Sequence, residues 1–264
     1  MARRRIDAIL VDRGLFPSRE QARAAVLAGE VRVGDMPVDK AGAQIAEDAD
    51  IHVTERPRFV SRGGDKLAGA LEAFGIDVSG RRAADIGAST GGFTDCLLRA
   101  GAIAVTAVDV GYGQLAWSLR NDARVAVHER TNIRHADPAD LGAPFDVVVV
   151  DVSFISLKTV LPKLVELTAE NADLLALVKP QFEAGKGRVG KRGVVRDPAV
   201  HEEILDGVVG AVGGHGLVVR GLTFSPITGP EGNIEFWLWA SRIGEPTSES
   251  PGSVVARAHE THGG

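Results

Sequence analysis

Charged residues that directly follow apolar runs are the first candidates for chemistry in this sequence. Asp151 follows FDVVVV and Lys179 follows LLALV, so both are expected at the rim where open α/β sheets bind ligands. Lys66 in SRGGDKL and Glu235, which interrupts the apolar segment NIEFWLWA, are two further candidates. A lysine can take the proton of a weakly acidic hydroxyl when burial and a second cation lower its pKa to about 7–8, and carboxylates can orient it. Each charge alone is equally typical of a solvated or paired side chain.

A glycine-rich loop follows the first strongly apolar strand. In ADIGASTGGF the glycines let the backbone turn tightly and approach a ligand, although a structural turn would use them too. The dinucleotide spacing G-x-G-x-x-G is not met, because the loop reads G-A-S-T-G-G. The next predicted strand ends in an aspartate, where a carboxylate can accept both hydroxyls of an adenosine ribose. This pattern favours an adenosine ligand without phosphates, of which S-adenosylmethionine is the commonest. The predicted binding residues are Asp85, Gly87, Ser89, Thr90, Gly91, Gly92, Phe93 and Asp109.

A predicted parallel sheet positions these residues. From residue 81 onward, apolar runs alternate with helical stretches, which indicates crossover units and helices on both faces of a sheet. The early strands are predicted at 83–86, 103–108, 125–127, 147–150 and 174–178. After a helix near 198–212, GLVVRGLTFSP and NIEFWLWAS are predicted as two late strands. The pattern therefore predicts an α/β domain with its ligand site at the carboxyl ends of the strands.

The amino-terminal residues have a different pattern, typical of a small α+β module. Ile6 and Leu10 belong to a helical stripe, Ser18 and Gln21 form a capping-box pair, and VRVGDMPV has the signals of a small hairpin. The end of the chain is polar and rich in Gly, Pro and Ser, which is typical of disorder. The predicted division is a module at 1–55, a linker at 56–62, the α/β domain at 63–243 and a disordered tail at 244–264.

Composition narrows the classes of protein that fit. With 264 residues, 44% of them hydrophobic, the chain can bury one large core and a small second one. A net charge of −5 does not suggest a general nucleic-acid binder, so such a role would depend on local patches. Cys96 is the only cysteine, so we expect neither disulfides nor a cysteine-based zinc site, no other metal, and a cytoplasmic location. No apolar run reaches the roughly 18 residues of a spanning helix, so no membrane is expected.

Two basic clusters are candidates for RNA contact. Arginine outnumbers acidic residues in the first 23 positions, and KGRVGKRGVVR follows the Lys179 strand without an acidic residue. Contacts from such groups to phosphates give affinity and position without base specificity, and a structured RNA would be selected by its shape. A solvated basic surface is the alternative. The predicted RNA-binding residues are Arg3, Arg4, Arg5, Arg19, Arg23, Lys186, Arg188, Lys191, Arg192 and Arg196.

Over almost its whole length the sequence resembles the TlyA group of haemolysin A-like ribosomal RNA methyltransferases. The matching motifs are SREQARAAVLAGEVRVGDMPVDKAG, RFVSRGGDKLAGAL, DIGASTGGFTDCLL, FDVVVVDVSFISL, LVKPQFEAG and SPITGPEGNIEF. The resemblance implies a Rossmann-like, FtsJ-like methyltransferase domain with a mostly parallel seven-stranded sheet and helices on both faces, joined to an RNA-binding module of ribosomal-protein type. It further implies S-adenosylmethionine, a catalytic tetrad of Lys66, Asp151, Lys179 and Glu235, and ribose 2′-O-methylation of cytidine in ribosomal subunits. Phe59 departs from the family pattern, because relatives have Tyr or Trp there.

Other functions remain possible at this point. A non-enzymatic ribosome-assembly factor could keep the same fold, although four intact charged residues argue against it. A membrane-lytic haemolysin would need an amphipathic surface helix with a basic polar face. HEEILDGVVGAVGGHG is amphipathic, but its start is acidic and it is rich in glycine, so we expect it to pack on the sheet. A dehydrogenase is disfavoured by the glycine spacing.

Overall fold

The computed structural model describes residues 3–27, 29–34, 36–53, 58–185, 187–190 and 193–263. The chain divides into two compact units, Met1–Pro57 and Arg58–Gly264. The predicted linker at 56–62 therefore extends too far, because Phe59 is buried in an apolar cluster of the second unit at 4% exposure. Residues 56 and 57 of that linker lie outside the described ranges.

The first unit is a small α+β module, as predicted. Its helices α1 (Ile6–Asp12) and α2 (Arg19–Leu27) contribute most of a small apolar core. One of the two hydrogen bonds of the predicted capping box is present, since the backbone N–H of Gln21 donates to Ser18 Oγ at 3.3 Å. The strands pair antiparallel, β1 (Arg3–Arg5) with β4 (Gln44–Ala46), and β2 (Val31–Val33) with both β3 (Met36–Pro37) and β5 (Ile51–Val53).

The described residues of the second unit form a seven-stranded, mostly parallel sheet with helices, which confirms the predicted fold class. The strand order is β11-β12-β10-β9-β6-β7-β8, and only β12 runs antiparallel to its neighbours. The strands are β6 (Arg82–Ile86), β7 (Ala104–Val108), β8 (Val125–His128), β9 (Phe145–Val150), β10 (Thr168–Val178), β11 (Val218–Phe224) and β12 (Phe236–Ser241). The helices are α3 (Gly63–Phe74), α4 (Gly92–Arg99), α5 (Trp117–Arg120), α6 (Leu157–Leu167), α7 (Pro180–Glu183), α8 (Pro198–Gly214) and α9 (Pro251–His262).

Helices cover both faces of this sheet, which explains the uninterrupted valines of β9. Val147 and Val149 belong to the apolar cluster that includes side chains of α3 and α4. Val148 and Val150 belong to the cluster on the other face, with side chains of α6, α8 and α9. Successive side chains of a strand point to opposite faces, so a strand that is buried on both faces needs an apolar residue at every position.

Helix α8 contains most of the amphipathic segment HEEILDGVVGAVGGHG, which was considered above for a membrane-lytic function. Its apolar side chains, among them Leu205, Val208 and Val212, are buried in the sheet cluster, as the sequence predicts. In the described ranges, no helix is both long enough and apolar enough to cross a membrane.

The prediction of a disordered tail is wrong for Pro251–His262, which form α9. Ser250 caps the helix by accepting a hydrogen bond from the backbone N–H of Ser253 at 3.2 Å. Val254, Val255 and Ala258 form a stripe at helical spacing that is buried in the core cluster. The polar composition of the whole segment concealed this short stripe. Pro251 and Gly252, two of the residues that suggested disorder, lie in the first turn of the helix, where Pro is well tolerated.

We expect Val254→Asp to destabilise the folded protein by about 3 kcal/mol, because the carboxylate would have to be buried or the helix would have to detach. Ala256→Asp on the exposed side of the same helix is the matched control and should change stability by less than about 0.5 kcal/mol. Urea unfolding of both variants measures the difference. Equal stabilities of the two variants would show that α9 is not docked in solution.

Candidate active site

Strand ends bring predicted charged residues to one edge of the sheet. Val178, the last residue of β10, pairs with Phe236, the first residue of β12. Because the two strands are antiparallel, Lys179 after one and Glu235 before the other lie at the same edge. Asp151 follows β9, which runs parallel to β10, so it reaches this edge as well. The amino-terminal end of the antiparallel strand β12 therefore lies at the edge formed by the carboxyl ends of the parallel strands, and Glu235 can contribute to the site there.

The four predicted catalytic residues form two lysine–carboxylate pairs. Lys66 Nζ, from the first turns of α3, lies 2.5 Å from Glu235 Oε2. Lys179 Nζ pairs with Asp151 Oδ1 and donates a hydrogen bond to Ser153 Oγ at 3.1 Å. All four charged residues line one cavity of about 690 Å³, so the structure brings together what the sequence had placed in four separate segments.

The Lys66–Glu235 pair is the more deeply buried of the two. The side chains are 9% and 1% exposed. Burial raises the pKa of the Glu235 carboxyl above its ordinary value, and the charge and hydrogen bond of Lys66 act against this. The backbone also passes close to the carboxylate, since a Cβ at Gly229 would lie 2.7 Å from Glu235 Oε1. Glu235 is therefore held in one position by its cation and by a close backbone.

Asp85, near the end of β6, fixes the start of the helix that follows the glycine loop. This residue is fully buried, and its Oδ2 accepts hydrogen bonds from the backbone N–H and the hydroxyl of Thr94, at 2.9 and 2.7 Å. Burial raises the pKa of Asp85 to about 7, against the opposing effect of the Thr94 hydroxyl. Asp85 and Gly91 do not line the cavities described here. Both residues shape the loop in this structure, and a direct contact of either with the ligand stays a prediction.

Gly87 and Gly92 show why the loop needs glycine. Gly87 has φ +89°, and a Cβ there would lie 2.3 Å from the backbone oxygen of Asp151. A Cβ on Gly92 would lie 2.3 Å from Ser61 Oγ and 2.8 Å from the backbone N of Gly64. Any larger residue would push the loop away from the sheet edge or from the start of α3.

Asp109 holds the loop from the neighbouring strand. Its Oδ2 accepts a hydrogen bond from the backbone N–H of Ser89 at 2.8 Å, and its Oδ1 accepts one from Gly111 at 2.7 Å. Ser89 has φ +48°, a conformation that is uncommon for a residue with a side chain, and the bond to Asp109 helps to stabilise it. Each carboxylate oxygen retains lone pairs that a ribose hydroxyl can approach.

A second cavity of about 440 Å³ adjoins the first. The two share lining residues, including Gly87, Ser89 and Asp151. Asp109 gives the second cavity a carboxylate, while Val110 and Ile133 give it apolar walls. A slot with apolar walls and the Asp109 carboxylate fits an adenosine, and the glycine loop between the cavities leaves room for the rest of a methyl donor. The residues present therefore fit S-adenosylmethionine.

Replacing Asp109 with alanine is expected to weaken binding of S-adenosylmethionine by about 10-fold or more, because hydrogen bonds to a charged group are lost and Ser89 loses its anchor. Asp140→Ala, which removes an exposed carboxylate outside the two cavities, is the control and should bind the donor normally. Isothermal titration calorimetry gives both affinities. Equal affinity of Asp109→Ala and the unchanged protein would remove Asp109 from the donor site.

Sequence reasoning missed several residues that line the cavity. Phe154 is 92% exposed as a residue and has a backbone φ of +64°, and its ring centroid is 5.1 Å from that of Phe182. Gln181 lies between Lys179 and Phe182 in the sequence and also lines the cavity. Their positions in the sequence could have indicated this role, because they closely follow Asp151 and Lys179 at the ends of two strands.

The predicted RNA-binding arginines of the first unit are exposed, but several are paired within it. Arg5 and Arg19 contact the buried Asp7, at 2.8 and 3.2 Å. The hydrogen bond from Arg5 is the main cause that lowers the pKa of Asp7 to about 2. Arg4 pairs with Asp12 and Glu47, and Arg3 donates to a backbone carbonyl. These pairs reduce the positive charge that the sequence count suggested.

The second predicted RNA-binding cluster is described only in part. Arg188 forms a bidentate pair with Glu203, at 2.6 and 2.7 Å, whereas Arg196 is exposed. Lys186, Lys191 and Arg192 lie outside the described residues. An RNA role for this segment stays a prediction.

Comparison with known proteins identifies the class to which this fold and site belong. Residues 59–242 match the model of the FtsJ-like methyltransferase family, and residues 4–51 match the S4 domain. The chain belongs to the FtsJ-like methyltransferase family, and its cofactor is S-adenosylmethionine.

The names of the relatives agree with the predicted resemblance to the TlyA group. The 16S/23S rRNA (cytidine-2′-O)-methyltransferase TlyA of Mycobacterium tuberculosis is 52% identical over 90% of this chain and 90% of its own length. Hemolysin A of Brachyspira hyodysenteriae is 40% identical over 88% of this chain and 97% of its own. A solved structure of a hemolysin-type protein from Streptococcus thermophilus has a TM-score of 0.75 and 42% identity, covering 99% of this chain and 97% of the other.

Proposed function

We propose that this protein transfers a methyl group from S-adenosylmethionine to the 2′-hydroxyl of a cytidine ribose in ribosomal RNA, on assembled ribosomal subunits in the cytoplasm. One observation carries this proposal: two lysine–carboxylate pairs line the same cavity as the glycine loop. The TlyA protein of Mycobacterium tuberculosis, whose name gives this reaction, supports the choice of RNA and of cytidine.

The reaction needs a proton acceptor and a cationic environment at one oxygen. The bound donor supplies an electrophilic methyl group. A ribose hydroxyl is a weak acid, so its proton must leave as the oxygen bonds to carbon. Lys179 is placed to accept this proton if it is neutral, or to stabilise the developing alkoxide if it is charged. Asp151 and Ser153 hold its Nζ in place.

The second pair has a supporting role in this mechanism. Lys66 adds a cation to the same cavity, which stabilises negative charge on the reacting oxygen. Glu235 Oε2 fixes that cation at a distance of 2.5 Å. Because both ion pairs are largely withdrawn from water, their electrostatic effect on the hydroxyl is stronger than it would be in solution.

The first unit supplies RNA affinity in this proposal. Arg23 is exposed and lines an open groove with Arg5, Arg19 and the exposed Leu27. We expect Arg23→Ala to weaken binding to ribosomal subunits and to lower the slope of log affinity against log salt by about 1, as one lost phosphate contact would. Asp48→Ala, which removes an exposed charge outside this groove, is the control. Filter binding at several salt concentrations measures the slope, and an unchanged slope would remove Arg23 from the RNA surface.

The proposed function is tested by the position of the transferred methyl group. The purified protein is incubated with labelled S-adenosylmethionine and unmethylated ribosomal subunits, and the RNA is digested to nucleosides. We expect label in 2′-O-methylcytidine. Label in a base-methylated nucleoside, or in ribosomal protein, would contradict the proposal.

A further inference from the structure

Gln181 is a polar side chain of the cavity that the mechanism above does not use. It lies on α7, two residues after Lys179, and lines the cavity that holds both ion pairs. Its Oε1 is withdrawn from solvent and has no hydrogen-bond partner among the described residues. A buried carbonyl oxygen without a partner is unfavourable, and a donor supplied by a ligand would remove that cost.

Glu183 fixes the segment that carries Gln181. Its Oε2 accepts a hydrogen bond from Ser156 Oγ at 2.7 Å, and its Oε1 accepts one from the backbone N–H of Leu157 at 2.6 Å. Ser156 and Leu157 belong to the segment that follows β9, so one carboxylate ties the turn after β9 to the turn after β10. Gln181 is thus held on a fixed wall of the cavity, as a residue that recognises a substrate must be.

The same wall has aromatic rings suited to a nucleobase. Phe154, which is largely exposed, and Phe182 approach each other and line the cavity next to Gln181. Single-stranded bases are commonly bound by stacking on aromatic side chains and by hydrogen bonds to their edges. A base that entered this cavity would find a stacking surface, and a turn of the unpartnered Gln181 amide would present Oε1 to the edge of the base.

The chemistry of the acceptor limits which base it can recognise. A carbonyl oxygen accepts a hydrogen bond, so its partner must be an N–H group. Cytosine has an exocyclic amino group on its pairing edge, and uracil has a carbonyl oxygen at the same position. We propose that Gln181 recognises the target base by accepting a hydrogen bond from this amino group, which makes it a specificity-determining residue. This inference rests on the proposed function.

The test compares ribosomal subunits that carry cytidine or uridine at the methylated position. For each subunit, kcat/KM for 2′-O-methylation is measured with the unchanged protein, with Gln181→Met and with Gln181→Glu. We expect the unchanged protein to prefer cytidine by about 10-fold or more, the usual value of one base-edge contact. Gln181→Met has similar length and lacks the acceptor, so its preference should fall to about 2-fold or less. Gln181→Glu keeps the acceptor and should retain the preference.

The ratio of kcat/KM for the cytidine substrate to kcat/KM for the uridine substrate is independent of effects of the substitutions on folding and on general RNA affinity. Binding of S-adenosylmethionine by calorimetry confirms that each variant retains an intact donor site. A cytidine preference that survives in Gln181→Met, or one that is absent from the unchanged protein, would overturn the assignment while leaving ribose methylation intact. Loss of preference in Gln181→Glu would overturn the role of Oε1 as acceptor. If the unchanged protein methylates ribose in neither RNA, the proposed function fails, and this inference fails with it.

Discussion

Lys66→Met is expected to destabilise the second unit by about 3–5 kcal/mol, the usual cost of removing one partner from a buried ion pair. Glu235 would remain in the interior at 1% exposure without its cation 2.5 Å away. The double variant Lys66→Met/Glu235→Gln removes the uncompensated charge and should recover most of the lost stability. Lys158→Met, which removes an exposed lysine, is the control and should be nearly neutral. Urea unfolding at neutral pH measures all three.

The destabilisation should depend on pH in a defined direction. Burial raises the pKa of Glu235 in the folded state, and loss of Lys66 removes the main opposing effect, so in Lys66→Met the folded pKa should rise further. The folded state then binds the proton more tightly than the unfolded state, whose pKa is about 4.3. Stability from this group is therefore fully present below about pH 4 and is lost as pH rises through the folded pKa.

Comparison of the single and double variants isolates this group from the other carboxylates. The stability difference between Lys66→Met and Lys66→Met/Glu235→Gln should be small near pH 4 and should grow toward neutral pH. A difference that is constant over this range would mean that Glu235 is not an uncompensated charge in the single variant. A fully stable Lys66→Met protein at pH 7 would show that the ion pair is absent in solution.

Lys179→Ala is expected to lower the rate of methyl transfer by about 100-fold or more, the usual effect of losing an acid–base group. The binding of S-adenosylmethionine should be nearly unchanged, because Lys179 does not line the second cavity, which fits the adenosine. Single-turnover methylation of ribosomal subunits measures the chemical step, and calorimetry measures donor affinity. A rate within a few-fold of the unchanged protein would exclude a direct role for Lys179.

The variant Lys179→Arg separates the two possible roles of the lysine. Guanidinium keeps its proton in proteins, so an arginine can stabilise an alkoxide but cannot act as the base. We expect Lys179→Arg to fail nearly as severely as Lys179→Ala. Rates near those of the unchanged protein would exclude general-base catalysis and leave electrostatic stabilisation as the function of this side chain.

The parallel sheet could be predicted from the sequence because a strand that is buried on both faces has an uninterrupted apolar run. The apolar run of β9 is uninterrupted since helices cover both faces of the sheet. Asp151 and Lys179 could be placed at the ligand edge because each directly follows such a run. Glu235 could not be placed in this way, since it precedes a strand. Its arrival at the same edge depends on the antiparallel pairing of β12 with β10, which is a tertiary property.

Other features escaped prediction because they depend on contacts between distant segments. The stripe of Val254, Val255 and Ala258 is too short to stand out in a polar tail, and it becomes a helix by packing on the core cluster. The arginine count of the first unit overstated its free charge, because Arg5 and Arg19 neutralise a buried Asp7. Only the fold shows that the Oε1 of Gln181 is buried without a partner among the described residues.

The most direct test of the proposed function is a map of 2′-O-methylation across ribosomal RNA from cells with and without this protein. We expect one or a few cytidines to lose their 2′-O-methyl group when the protein is absent. Methylation should return when the unchanged gene is restored and should stay absent when Lys179→Ala is restored at equal abundance. Identical maps with and without the protein, or recovery of methylation by Lys179→Ala, would contradict the proposed function.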